Sequence, residues 1–159
     1  AAVFLTSTKY RGCYIPIPFM SYSYKGESLT AMIGAPTIVF WKLSSDLTFS
    51  LTYFPVVRFE TALLWRPVPP VTIGPELSFI EDKYFIADRS DKNENLYRRT
   101  LSIAFTAKTY ISSFAGVSFK AGYVPYNTWA RSRDSLSIEG SRSTGADWFV
   151  TGGVNAFLF

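Results

Sequence analysis

The sequence predicts an all-β chain folded as an antiparallel up-and-down barrel of about eight strands. Three observations carry that expectation: apolar and polar residues alternate with period two in several segments, no helical period lasts more than two turns, and short turns trade places with long polar connections.

The alternation is cleanest in Leu47-Thr48-Phe49-Ser50-Leu51-Thr52-Tyr53, where apolar and hydroxyl side chains take opposite faces of an extended chain. From Arg58 to Arg66, Phe59, Thr61, Leu63 and Trp65 share one face, and Arg58, Glu60, Ala62, Leu64 and Arg66 the other. Thr100 to Lys108 sets Leu101, Ile103, Phe105 and Ala107 against Thr100, Ser102, Ala104, Thr106 and Lys108. Gly116 to Tyr123 sets Val117, Phe119, Ala121 and Tyr123 against Gly116, Ser118, Lys120 and Gly122. Ser44-Ser45-Asp46, Pro67 to Pro70 and Ser112-Ser113 read as tight turns, and Ala87 to Asn95 and Asn127 to Asp147 as long loops. Counting back from the end places strands near 147–159, 114–126, 96–111, 71–86, 58–66, 47–56, 29–43 and 13–24. Residues 13–159 then form the barrel. Residues 1–12 form an N-terminal extension or an extra strand, and the barrel is larger if that segment continues an upstream partner.

Composition points to the solvent this barrel meets. Of 159 residues, 48% are hydrophobic, 18% aromatic and 18% charged, whereas a soluble domain carries about 25% charge. No apolar run approaches the ~20 residues of a membrane helix, so a membrane span here requires a closed barrel. The start lacks a basic region followed by an apolar one, so any leader has been removed or lies upstream. One cysteine, Cys13, excludes an internal disulfide and a multi-cysteine metal site. A net charge of +4 with dispersed cations argues against nucleic acid.

The terminal stretch Trp148-Phe149-Val150-Thr151-Gly152-Gly153-Val154-Asn155-Ala156-Phe157-Leu158-Phe159 resembles the C-terminal β-signal of Gram-negative outer-membrane proteins. In that family the last aromatic and residues two apart from it face lipid, which Phe159, Phe157 and Phe149 match and Asn155 and Gly153 do not. With the Ser-Ser-Asp and Trp-Arg-Pro turns, the whole chain is similar to small porin-like barrels. The resemblance implies an outer-membrane location, lipid and lipopolysaccharide as surroundings and the barrel-assembly machinery as a partner during insertion. It implies no activity.

The chain has no histidine, the usual base of outer-membrane hydrolases. No nucleophile and base stand at a suggestive spacing, so the expectation is a protein without catalytic residues, cofactor or metal. The polar face carries Lys42, Arg58, Glu60, Arg66, Glu76, Lys108 and Lys120, the expected lumen cluster. Ion pairing of Glu60 and Glu76 with these cations would fill a narrow interior; a water-filled one would favour anions. Trp41, Tyr53, Trp65, Tyr84, Tyr110, Tyr123, Tyr126, Trp129 and Trp148 fall near strand ends, as interfacial girdles do. Arg131, Arg133 and Arg142, with Lys83, Arg89, Lys92, Arg98 and Arg99, lie in or beside the long loops and could meet lipopolysaccharide phosphates. Two other readings remain: a soluble calyx-like barrel around a hydrophobic ligand, and a subunit of a larger envelope complex with another envelope protein.

Overall fold

The computed structural model describes residues 2–10, 13–55, 57–85, 95–112, 115–132 and 141–156, with the backbone alone for 2–10, 13–20, 112, 155 and 156. The strands are β1 (Ala2–Tyr10), β2 (Cys13–Lys25), β3 (Leu29–Ile33), β4 (Thr37–Lys42), β5 (Leu47–Phe54), β6 (Arg58–Val68), β7 (Val71–Phe85), β8 (Asn95–Ser112), β9 (Ala115–Ser132), β10 (Arg142–Ser143) and β11 (Asp147–Ala156). Each pairs antiparallel with its neighbour in sequence up to β9. β10 and β11 both pair with β9, at Thr128–Trp129 and at Ala115–Val124, so together they occupy one position and the meander is ten strands wide. The sheet is not closed: β1 and the β10–β11 line are its edges.

The count corrects the expected eight. The segment 29–43 is two strands, because Gly34-Ala35-Pro36 turns the chain back. Pro36 has no N–H for a ladder, and the Thr37 hydroxyl closes the turn by donating to the Gly34 carbonyl at 2.7 Å. Residues 2–10, within the segment expected as an extension or an extra strand, run beside β2 from Ala2↔Ser21 to Tyr10↔Cys13.

Connections 26–28, 43–46 and 69–70 lie at one rim of the sheet, where β8 also ends and β9 begins, and 34–36 lies at the other, with the end of β7, the start of β8 and the end of β9. Two of the tight turns read from the sequence, at 44–46 and 69–70, share the first rim, and Ser113 of the third lies outside the described residues. Of the expected long loops, residues 127–132 instead continue β9 and 142–143 form β10, while 86–94 and 133–140 lie outside the described residues.

Two irregularities shape the wall. Pro75 cannot donate to β6, and the β6–β7 ladder skips it together with Gly74. Between Leu101 and Ile103, β9 carries an extra residue at Val124-Pro125, a bulge that bends the sheet and increases its twist. Beside that bulge β8 and β9 approach closely at Gly122, where a Cβ would lie 2.7 Å from the Ala104 Cα and against the Ile103 carbonyl. Gly122→Ala is therefore expected to cost about 1 to 3 kcal/mol through overpacking, read as a lower thermal transition. An unchanged transition would show that the strands are farther apart.

The sheet curls with its Ser, Thr, Gly and charged face inward. Phe40 on β4 and Lys120 on β9 line one cavity, although a flat sheet would hold those strands about 24 Å apart at ~4.8 Å per strand. On that face Thr106 is 1% exposed, and Ser78 and Ala104 are buried. On the other face Leu63, Trp65, Ile103, Phe105, Phe119 and Val150 are exposed. The distribution inverts that of a soluble domain. Among the described residues only Ala31, Tyr97, Ala104 and Ala130 are buried hydrophobics, and the accessible surface is 11412 Å². A soluble monomer of this mass exposes about 8,000 Å².

Candidate functional site: a polar interior behind an apolar wall

Cross-strand register builds the inner face in rows. One row runs Ser50, Ala62, Glu76, Ala104, Gly122, Phe149, and the next Gly74, Thr106, Lys120, Thr151. The small side chains on β8 leave room above it. Glu76 on β7 therefore reaches across Ala104 and Thr106 to pair with Lys120 on β9. Thr106, the register partner of Lys120, is 1% exposed. Nearby, the Ser78 and Ser102 hydroxyls share a 2.7 Å hydrogen bond.

Arg58 and Glu60 pair at 2.9 Å along the same edge of β6, with both carboxylate oxygens accepting from Nη2. Here the Arg58 side chain is 53% exposed. Removing the Glu60 carboxylate is accordingly expected to cost less than about 1 kcal/mol, the range of surface pairs. Thermal denaturation of Glu60→Ala checks this, and a larger loss would mean that water does not reach this pair.

Two cavities occupy the inner face. The first, about 270 Å³, is lined by Ser50, Thr52, Arg58, Glu60, Glu76, Lys108 and Lys120 among others. The second, about 300 Å³, is lined by Asp46, Thr48, Arg66, Thr72, Lys108 and Tyr110 with their neighbours. The structure thus brings six of the seven expected cluster residues onto these cavities. Lys42 lines neither; it lies on the same face, opposite Thr48.

The outer face is apolar along consecutive rows and then changes abruptly. Tyr53, Phe59, Phe79, Leu101 and Tyr126 stand in one unbroken cross-strand row over β5 to β9. The next outer row is Glu81, Arg99, Thr128, where Arg99 Nε donates to the Glu81 carboxylate at 2.6 Å. Lower on this face the Thr61 hydroxyl donates to the Ser50 carbonyl at 3.1 Å, so a polar atom among apolar neighbours is satisfied.

Trp41, Tyr53, Trp65, Tyr123, Tyr126 and Trp148 belong to the outer face, where Tyr123 and Trp148 pack with ring centres 5.0 Å apart. Tyr84, Tyr110 and Trp129 lie on the other side. Tyr110 lines the second cavity. Trp129 shares a register position with Arg98, whose guanidinium stacks on its ring at 5.3 Å, and Tyr84 packs on the same ring. A strand end fixes the height of a residue but not its face, so chain position alone could not separate these three from the others.

On β11, Trp148, Val150 and Val154 oppose Tyr123, Ala121 and Val117 of the outer face, whereas Phe149 opposes Gly122. Phe149 therefore takes the polar side, contrary to the expected β-signal phase. Phe157 and Phe159 lie outside the described residues, as do Arg89, Lys92 and Arg133. Sequence reading also missed Asp46, which sits in a turn yet lines the second cavity.

Among the described residues no group of His, Cys, Asp and Glu could hold a metal ion, and no helix is long and apolar enough to cross a membrane. No family model matches the chain, and neither a curated protein nor a solved structure matches it.

Proposed function

We propose that this chain is an integral β-barrel of the bacterial outer membrane, in which the edge strands pair, β1 with β11, to close a ten-stranded meander around a water-accessible polar interior. The observation that carries this reading is the inverted side-chain distribution: hydroxyls and charges on the curled inner face, large apolar side chains exposed on the outer one. A surface on which Ile103, Phe105, Val117 and Phe119 are all exposed supports lipid over water as its solvent.

The dimensions agree. On β8 the outer face is apolar, Thr109 aside, from Leu101 to Ile111, ten steps of ~3.4 Å. At a ~40° tilt this length stands about 26 Å tall, close to the ~25 Å apolar band of outer-membrane barrels. The Glu81–Arg99 row above it would then lie at the head-group level, beside lipopolysaccharide phosphates. Closure is supported by an even width, since β1 and β11 then run antiparallel and leave no edge in lipid. Insertion would be the task of the barrel-assembly machinery, and the barrel has a structural, interaction or narrow pore role without catalysis.

The calyx reading requires an apolar cavity, and charged side chains line both cavities on the inner face, with Lys108 in each. The open edges favour a second possibility, that β1 and β11 pair with strands of an envelope partner. Membrane fractionation tests the main reading: the full chain in a Gram-negative host should resist urea and carbonate extraction and migrate differently before and after heating. Recovery as a soluble monomer would overturn it. Paired cysteines on β1 and β11, in a background lacking Cys13, should cross-link within one chain, whereas cross-links to another polypeptide alone would favour the envelope complex.

A further inference from the structure

We propose that the two interior cavities form one binding path for small inorganic anions, with Lys108 as the site they share. The proposal rests on the membrane-barrel reading and names what its interior would take.

The charges on the inner face are not evenly matched. Glu60 is engaged by Arg58 and Glu76 by Lys120, which uses the two carboxylates of the first cavity. Lys108 lines both cavities, and among the described residues it has no ion pair; the same holds for Arg66 in the second. The remaining carboxylate there, Asp46, accepts a hydrogen bond from the Ser45 hydroxyl at 3.0 Å and, among the described residues, stands within ion-pair distance of no cation.

Several groups around Lys108 are donors. Thr72 and Ser118 are its register partners on β7 and β9, and Thr48, Thr72 and the Arg66 guanidinium line the second cavity with it. An ammonium, a guanidinium and hydroxyls facing one space of about 300 Å³ can replace part of the hydration shell of an anion. A cation entering the same space meets two unpaired positive charges, Lys108 and Arg66, against the single Asp46 carboxylate. Low-dielectric walls strengthen that discrimination relative to open water. The paired cations, Lys120 and Arg58, leave the first cavity near neutral apart from Lys108, so an anion would step from one cavity to the other past a single ammonium.

The test uses the purified full chain in planar phosphatidylcholine bilayers under a KCl gradient, after its heat-dependent mobility has shown insertion. The reversal potential should report chloride preferred over potassium. Lys108→Gln should lower that preference about threefold or more, and Lys108→Glu should reverse it. Lys42→Gln, which changes a cation outside both cavities, should leave the preference intact. If Lys108→Glu fails to insert, Lys108→Gln still decides. An inserted barrel that does not conduct, that prefers potassium, or whose selectivity ignores Lys108→Gln would overturn the anion path while leaving the membrane reading intact. Failure of the unaltered chain to insert would overturn both.

Discussion

Phe105→Arg is expected to be among the most damaging single substitutions in this chain, costing about 2 to 4 kcal/mol and strongly reducing insertion. Phe105 lies midway along the apolar stretch of β8, flanked on the outer face by Ile103 and Ala107 and opposite Ala121. Its side chain is half exposed, at 53%. If lipid covers that face, the substitution places a guanidinium near the middle of the hydrocarbon, where neither water nor a carboxylate can satisfy it. If water covers the face, the same change removes an exposed ring and adds a solvated charge, which costs within about 0.5 kcal/mol or even stabilises. Few substitutions separate the two environments so widely. Equilibrium unfolding in detergent and the inserted fraction in native membranes both report the difference, and a variant as stable as the parent chain would count against lipid contact.

Glu76→Ala is expected to cost about 2 to 3 kcal/mol. The Glu76 side chain keeps 11% of its surface and Lys120 32%, so loss of the carboxylate strands an ammonium that is mostly enclosed. The figure falls short of the ~3 to 5 kcal/mol of a fully enclosed pair because water still reaches Lys120. A double-mutant cycle with Lys120→Met should give a coupling of about 1 to 2 kcal/mol. The same cycle on Arg58 and Glu60 should give less than about 1 kcal/mol. Equal couplings would mean that the inner face is uniformly wet or uniformly dry, contrary to the exposures of the two pairs.

Much of this architecture is legible from alternation alone. Leu47 to Tyr53, Arg58 to Arg66, Thr100 to Lys108 and Gly116 to Tyr123 all fall inside strands, and the two faces separate as their side chains suggest. Alternation cannot say which face is inside; the cavity shared by Phe40 and Lys120 supplies that. The hairpin at Gly34-Ala35-Pro36 was hidden because Leu29 to Leu43 carries a Gly and a Pro inside an otherwise strand-like run. Such residues also occur within true strands here, as Gly74-Pro75 in β7 shows. The phase of β11 was illegible for a different reason: Val150 and Val154 are as apolar as Phe149, so only pairing with β9 decides between the faces. The Glu76–Lys120 bridge spans three strands, and no spacing within one strand encodes it.

The alternation of solvent along β8 tests the central claim most directly. Spin labels placed singly from Thr100 to Thr109 in the membrane-inserted chain can be read for collisions with oxygen, which concentrates in lipid, and with a water-soluble nickel chelate. Labels at Leu101, Ile103, Phe105 and Ala107 are expected to meet oxygen and to be shielded from nickel. Labels at Thr100, Ser102 and Lys108 should show the opposite, and those at the buried Ala104 and Thr106 should be shielded from oxygen. Nickel reaching the odd-numbered positions as freely as the even-numbered ones would contradict the account.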